Sequence, residues 1–238
     1  MLHGSPATVA AVRRSLLAHG LVETQRRPVH VVIARPVEVM MGEHWAETVR
    51  NGGILKWSAL WRRAEAAGRL PEPIAVTAIA NRLKNRRREP LHVVVARDAA
   101  RAATLVAGIL RARPAEIRCT GDAALSDLLR RLNRLTALTQ GPARVRALSR
   151  TLVVLLDERA AESGDVPLPV TPPPSLPWAR EVAAAGAEEL RHAGYPVHGE
   201  PDALAPTDHR LPGIVDRERT LELAVTACLR TWRQGGWP

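Results

Sequence analysis

Two short runs rich in β-branched residues constrain the fold of this chain more than any other feature. Residues 29–34 read Val-His-Val-Val-Ile-Ala, and residues 91–96 read Leu-His-Val-Val-Val-Ala. Apolar runs of this length predict strands that are buried on both faces. Each run is followed by a segment with helical periodicity. Apolar strands that alternate with helices predict an α/β fold, in which a parallel sheet is flanked by helices.

The two predicted strands also resemble each other residue by residue. Pro28 and Pro90, His30 and His92, and Arg35 and Arg97 occupy equivalent positions in the two runs. Ligands of open α/β sheets bind beyond the carboxyl ends of the strands. We therefore expect both arginines to emerge at one edge of the sheet. The alternative is that two buried strands of similar composition simply look alike.

Helical periodicity and proline spacing indicate how the rest of the chain is organised. Six prolines lie between positions 164 and 177, which predicts a linker or an extended strap. We expect a core at 1–163, the strap at 164–177, and C-terminal helices at 178–238 that pack back on the core. Residues 195–199 suggest a short strand or turn. Helices are predicted at 5–19, 37–50, 54–67, 74–86, 98–112, 122–138, 142–161, 178–193 and 215–233, the first with Ser5 as N-cap and Pro6 in its first turn.

The charge balance favours anionic partners. The chain of 238 residues has 34 Lys and Arg against 24 Asp and Glu, a net charge of +10. Phosphate esters, nucleotides or nucleic acid would suit such a balance, and so would a merely solvated basic surface. The run Arg86-Arg87-Arg88 is open to the same two interpretations, as a phosphate site or a solvated helix end.

Cysteine spacing and hydropathy argue against a disulfide-bonded, secreted or membrane-spanning protein. The two cysteines, Cys119 and Cys228, form no CxxC pair, which favours reduced thiols and predicts no metal site. Arginines interrupt the apolar part of the first twenty residues, so no signal-peptide core is predicted. No apolar run is long enough for a transmembrane helix, so we expect no membrane partner. A cytoplasmic location is the resulting expectation.

Some motif-like residues have a structural interpretation beside a functional one. Ile54, Trp57, Leu60 and Trp61 share one face of a predicted helix, which indicates a core stripe or a stacking platform. The histidines of the two strands are either packed core residues or catalytic groups.

The order of several motifs resembles that of bacterial sulfotransferase-like proteins with a P-loop-type fold. The strand at 29–35 and the Asn-Gly-Gly at 51–53 are similar to consecutive family segments, with Glu43, Trp45 and Glu47 between them. The resemblance covers most of residues 28–233. Its further segments are 91–95, 128–133, 177–180 and 190–195.

This resemblance implies a cofactor, 3′-phosphoadenosine 5′-phosphosulfate, and a site that binds it. In the family, a loop of the form G-x-P-K-T-G-T-T cradles a phosphate through backbone N–H groups. Its Lys contacts the bridging oxygen, where negative charge develops during transfer. The equivalent residues here are Gly4, Ser5, Pro6 and Thr8, which become the expected cofactor-binding residues. The resemblance adds Arg35, as the contact to the 3′-phosphate of the nucleotide.

The loop departs from the family pattern where the chemistry depends on it. Ala7 replaces the Lys and Val9 replaces the second Gly, while Ala10 and Ala11 replace the two Thr. We therefore expect impaired catalysis, and no catalytic residue is assigned. The usual Ser of the strand-end site is Glu43, whose carboxylate is expected to repel a phosphate.

The chain also lacks a stretch that family members have. Only residues 12–28 separate the loop from the first predicted strand, so the family's second strand and catalytic-base region are missing. This predicts either a degenerate member or a start of translation upstream of Met1. The expected function is that of a sulfotransferase-like protein that ancestrally bound the cofactor and transferred sulfate to an unknown small-molecule acceptor. The alternative is a non-catalytic module that binds protein or nucleic acid.

Overall fold

A parallel sheet organises the structure, which is a computed structural model. It describes residues 1–18, 29–86, 89–112, 123–137, 171–207, 218, 221–222 and 224–226. Within these residues, four strands form one sheet in the order β1-β2-β3-β4, with every neighbouring pair parallel. The strands are β1 (Leu2–Gly4), β2 (His30–Ala34), β3 (Leu91–Val95) and β4 (Val197–Gly199). The predicted α/β class and both predicted strands are confirmed.

The central pairing is the one that the sequence predicts. His30 lies opposite Leu91, and the register continues without a break to Ala34 opposite Val95. Arg35 and Arg97 therefore both follow the carboxyl ends of adjacent parallel strands, as expected. They differ in environment, because Arg35 is buried and Arg97 is exposed.

Helices connect the strands and largely follow the predicted pattern. The predicted helix at 142–161 lies outside the described residues, and residues 218, 221–222 and 224–226 of the predicted last helix are helical. Pro173–Ser175 forms a short 3₁₀ turn that leads directly into the last complete helix, whereas Pro167 and Pro169 of the strap are outside the described residues. The helices are α1 (Pro6–Ala18), α2 (Val37–Arg50), α3 (Trp57–Ala66), α4 (Val76–Arg86), α5 (Ala99–Ile109), α6 (Ala123–Thr136) and α7 (Leu176–Arg191).

Both faces of the inner strands are covered. On one face, Val31, Ile33 and Val94 pack with buried residues of α1 and α5. On the other face, Val32 and Val93 are also fully buried, and α4 packs against both inner strands. Val, Ile and Ala supply this core. Successive residues of a strand point to opposite faces, and both faces are covered here, so the residues on each face must be apolar.

By its contacts the chain divides into two compact units. The first comprises residues 1–44, 61–119 and 171–209 and contains the sheet. The second comprises residues 45–60, 120–170 and 210–238. In the second unit, the Nε1 of Trp45 donates to the carbonyl of Leu55 over 2.8 Å, and the Nδ2 of Asn133 donates to the carbonyl of Val49 over 2.7 Å.

The tryptophan stripe of α3 is mainly a core feature. Trp61 is fully buried and meets Trp178 edge to face at 6.0 Å between ring centroids. Leu60 is also buried, whereas Ile54 precedes the helix and is half exposed. The core interpretation is therefore correct for Trp61 and Leu60.

Candidate functional site

The first turn of α1 lies directly after the carboxyl end of β1. The strand ends at Gly4, the helix begins at Pro6, and Ser5 alone lies between them. The backbone N–H of Val9 donates to the carbonyl of Ser5 over 3.0 Å, as in the first bond of a capped helix. Because the chain is helical from Pro6 onward, Thr8 projects from this first turn. The predicted helix start with Ser5 before it and Pro6 at its first position is confirmed.

A carboxylate from α2 occupies the position beside this helix end. The hydroxyl of Thr8 lies 2.9 Å from Oε1 and 2.7 Å from Oε2 of Glu43. The hydroxyl of Ser5 donates to Oε2 of the same carboxylate. Negative charge is stabilised at a helix N-terminus, where backbone N–H groups carry partial positive charge. Glu43 is therefore held where a bound anion would be favoured.

Arg35 completes the cluster from the carboxyl end of β2. Its Nη1 donates to Oε1 of Glu43 over 2.7 Å and to the hydroxyl of Thr8 over 3.1 Å. Arg35 is 9% exposed, Glu43 6%, and Ser5 and Thr8 1% each. We call these four residues the Glu43 cluster. Two strand ends and two helices thus bring one cation, one carboxylate and two hydroxyls together in a buried place.

Burial gives the Arg35–Glu43 pair its energetic weight. Removing one partner of a buried ion pair costs about 3–5 kcal/mol, because the other charge remains desolvated and uncompensated. Hydrogen bonds that involve a charged group are also stronger than neutral ones. The hydroxyls of Ser5 and Thr8 add three such contacts to the carboxylate. Glu43 therefore balances the charge of Arg35 without an external anion.

One donor of the cluster is left over. The Nε of Arg35 is buried and has no hydrogen-bond partner among the described residues. Buried polar atoms in folded proteins nearly always have a partner, so an unused donor on a buried guanidinium is unusual. The hydrogen-bonding capacity of this Nε–H is therefore unused among the described residues.

A ligand site would account for only some of the predicted site residues. Ser5, Thr8 and Arg35 come together as expected, and Pro6 begins α1. Gly4 has another reason to be glycine. Its φ is +139°, and a Cβ at this position would lie 2.6 Å from the carbonyl oxygen of Ile33. Close contact between β1 and β2 therefore accounts for Gly4.

Glu43 is the residue whose role the sequence did not reveal. It was expected to repel a phosphate, and in the structure its carboxylate is the group that Arg35, Ser5 and Thr8 bind. A weak signal existed, because Glu43 lies eight residues after Arg35 on a helix with buried neighbours. A carboxylate on a buried helix face requires a cation, and Arg35 precedes that helix.

Two segments that carry the family resemblance meet in the second unit. Asn133, at the end of the 128–133 segment, donates from Nδ2 to the carbonyls of Val49 and Gly53 over 2.7 and 3.1 Å. These carbonyls lie at the carboxyl end of α2, where helices leave acceptors unsatisfied. The Asn-Gly-Gly sequence thus ends α2, and Gly52 adopts a φ of +91° there.

Other classes of site find no support in the described part of the chain. No group of three or more His, Cys, Asp or Glu side chains that could hold a metal ion occurs among the described residues. None of the described helices is both long and apolar enough to cross a membrane.

Comparison with known proteins adds no further constraint. The chain matches no protein-family model, no curated protein and no solved structure.

Proposed function

We propose that this chain is a sulfotransferase-like protein in which Glu43 occupies the ancestral anion position, so that sulfate transfer is impaired. The single observation that carries the proposal is the Glu43 cluster. A carboxylate is bound there by a strand-end arginine and by two hydroxyls at a helix N-terminus. These are the kinds of group that proteins use to bind phosphate and sulfate.

The position of the cluster in the fold also supports the proposal. Ligands of parallel α/β sheets bind beyond the carboxyl ends of the strands. β1 and β2 are parallel neighbours, and Ser5 and Arg35 each directly follow one of these strands. The resemblance to sulfotransferase-like proteins assigns the nucleotide to these same two strand ends.

The impairment has two physical sources. Ala7 occupies the position of the family's lysine, so this helix turn supplies no cation to the leaving group. Loss of one preorganised donor at a developing charge lowers a rate about 10²–10³-fold. In addition, a phosphate group entering the cluster would have to displace Glu43 from Arg35 or remain close to its negative charge. We therefore expect no sulfate transfer at the rate of an intact enzyme.

A thermal-shift experiment with 3′,5′-adenosine bisphosphate tests this proposal. A ligand at 100 times its dissociation constant raises the free energy of unfolding by about 2.7 kcal/mol. We expect a small shift for the native chain, a larger one for Glu43→Ser and none for Arg35→Ala. Each shift is measured against the ligand-free melt of the same variant, since the substitutions themselves change stability.

Glu47→Ser provides the matched control, since Glu47 lies on the same helix but is partly exposed. It should leave the nucleotide shift at the native value. If Glu43→Ser weakens binding, or if millimolar nucleotide shifts neither protein, the proposal that this cluster derives from a nucleotide site is wrong.

A non-catalytic interaction module is the second candidate function. Two observations favour it. Glu43 already balances the charge of Arg35, which leaves little room for a bound anion. The net charge of +10 can attract an anionic partner to the protein surface without a binding pocket. Duplex DNA binding should then weaken steeply with salt, because each neutralised phosphate releases counterions. Replacing Arg86, Arg87 and Arg88 with Ala should flatten that dependence. Undetectable binding at about 50 mM salt would remove the nucleic-acid form of this alternative.

A further inference from the structure

Each strand of the sheet carries one histidine, and the four histidines form two pairs. Nε2 of His3 lies 2.9 Å from Nδ1 of His30, which joins β1 to β2. Nδ1 of His92 lies 2.9 Å from Nε2 of His198, which joins β3 to β4. Each outer strand of the sheet is thus attached to its inner neighbour through two imidazoles.

The two pairs have similar geometry, with their rings inclined to each other at 24° and 38°. His3 lies opposite Val32, two residues beyond its partner His30, and His198 lies opposite Val94, two residues beyond its partner His92. The ring centroids are 5.2 Å apart in both pairs. Because His30 lies opposite Leu91 rather than His92, and side chains alternate between faces, the pairs lie on opposite faces of the sheet.

The rings meet head on, as in a hydrogen bond. In each pair the centroid separation exceeds the nitrogen separation by 2.3 Å, which is about twice the radius of an imidazole ring. If the two rings bound one metal ion, the lone pairs of their nitrogens would instead point toward a common position beside the rings, where the ion would lie. One nitrogen must therefore donate its proton to the lone pair of the other. If both rings are protonated, no lone pair remains and two positive charges face each other.

The pair on β4 is the more exposed of the two. His30 is 1% exposed, whereas His92 and His198 are both half-buried. β4 is a strand of three residues at the edge of the described sheet, and the carbonyl of Pro196 beside it accepts from the N–H of Val93 over 2.9 Å. With so few backbone bonds, an imidazole contact is a substantial part of the attachment of β4.

Charged side chains on the elements that pack on β3 mostly have other partners. α4 lies on the face of β3 opposite to His92, and there Arg82 pairs with Glu72 while Lys84 lies 5.9 Å over the ring of Tyr195. In the 3₁₀ turn after β4, Asp202 pairs with Arg191.

Two exposed arginines belong to α5 and its end. Arg101 is on the first turn of α5, at the carboxyl end of β3 and away from His92. Arg111 follows the last turn of α5.

We propose that the His92–His198 pair is an acid-sensitive clasp that holds β4 on the sheet, and that protonation of the second imidazole releases the strand. Separation from β3 allows each ring to be protonated in water, without the other charge beside it. Mild acid therefore favours the state in which β4 is detached.

The direction of the pKa of His92 agrees with this clasp. Burial lowers the pKa of His92 below its ordinary 6.5, and the neighbouring His198 lowers it further. A detached His92 would regain its ordinary pKa. The attachment of β4 is therefore complete above pH 6.5 and weakens as the pH falls toward the lowered value.

Hydrogen exchange of the intact chain between pH 7.5 and 5.0 tests the clasp. Rates are corrected for the intrinsic pH dependence of amide exchange. Protection of residues 195–199 and of the Val93 amide should fall, by up to about tenfold for each unit by which the pKa is lowered. In His198→Gln, whose amide can still hydrogen-bond but carries no charge, the pH dependence should be smaller than in the native chain, because burial alone then lowers the pKa of His92. In His192→Gln, which alters an exposed histidine after α7, the native pH dependence should persist.

A second measurement covers the case in which His198→Gln does not fold. The ¹⁵N shifts of the imidazoles in the native chain should show one donor and one acceptor nitrogen in the pair at pH 7.5, with His92 titrating below 6.5. The proposal is overturned if His92 titrates at its ordinary pKa in the native chain. Equal pH dependence in the native chain and in His198→Gln would also overturn it.

Discussion

Arg35 and Glu43 form a buried ion pair, with 2.7 Å between Nη1 and Oε1, directly beyond the carboxyl ends of two parallel strands. The pair lies against Ser5 and Thr8, at the first turn of the first helix. A location that α/β proteins commonly use for ligands is thus occupied by the chain's own carboxylate. This relationship leads to predictions about stability as well as binding.

Neutralising either partner of this pair should destabilise the protein strongly. We expect Glu43→Gln and Arg35→Gln each to lower the free energy of unfolding by about 3–5 kcal/mol, since each leaves one buried charge uncompensated. The double variant should lose clearly less than the two single losses combined. Urea denaturation of the four proteins measures this coupling.

The exposed pair of Arg82 and Glu72 serves as the control for that cycle. Their side chains are 45% and 72% exposed, so Arg82→Gln should cost no more than about 1 kcal/mol. If the Arg35 and Glu43 substitutions are additive within about 0.5 kcal/mol, the two residues are not energetically coupled and the cluster is not what the structure indicates.

Glycines at the ends of the two outer strands should resist substitution. Gly4 and Gly199 have φ values of +139° and +93°, and a Cβ would lie 2.6 and 2.0 Å from the carbonyl oxygens of Ile33 and Val95. Strained backbone of this kind costs about 1–3 kcal/mol per residue, so Gly4→Ala and Gly199→Ala should each lower the thermal midpoint.

Gly108 provides a matched control on α5. Nothing lies within 4 Å of a Cβ built at this position. Gly108→Ala should stabilise the protein by about 0.5–1 kcal/mol, because glycine is the poorer residue inside a helix. A destabilised Gly108→Ala together with a neutral Gly4→Ala would contradict this interpretation of the strand ends.

The sequence was sufficient to predict the inner strands and their pairing. Residues 29–34 and 91–96 are apolar on both faces, a pattern that only a doubly covered strand explains well. β1 carries no such signal, because Leu2–Gly4 is too short to show alternation. β1 is placed in the sheet by its pairing with β2, where Gly4 lies opposite Ile33. This pairing joins residues that are far apart in the chain.

The candidate site could be predicted only in part, for a related reason. Ser5, Thr8 and Arg35 were selected through the family resemblance, and the structure brings them together. The partner of all three is Glu43, which is 38 residues from Ser5 and 35 from Thr8 along the chain. No local pattern connects such distant residues. The pairing of His92 with His198, 106 residues apart, was equally hidden.

Tyr195 offers a spectroscopic test of the segment before β4, since it is the only tyrosine of the chain. Burial raises the pKa of Tyr195 above its ordinary 10.0, and the charge of Glu189 raises it further. The folded protein thus keeps this proton to a higher pH than the unfolded chain does. The contribution of the protonated Tyr195 to the free energy of unfolding is complete below pH 10. It is lost as the pH rises through the raised pKa of the folded protein.

Ultraviolet titration of tyrosinate measures this shift directly. The native chain should titrate above pH 10 and the denatured chain near it. Glu189→Gln should lower the native midpoint, whereas Glu188→Gln, which removes a carboxylate paired with Arg191, should have little effect. A native midpoint at or below that of the denatured chain would show that Tyr195 is not in the described environment.

The Arg35 side chain itself provides the most direct test of the central claim, that Glu43 occupies an anion position. The ¹H–¹⁵N signal of Arg35 Nε reports on its hydrogen bonding and can be assigned by its loss in Arg35→Lys. We expect millimolar 3′,5′-adenosine bisphosphate to shift this signal strongly in Glu43→Ser and only slightly in the native chain. An unmoved signal in Glu43→Ser, or an equal shift in both proteins at the same nucleotide concentration, would contradict the claim.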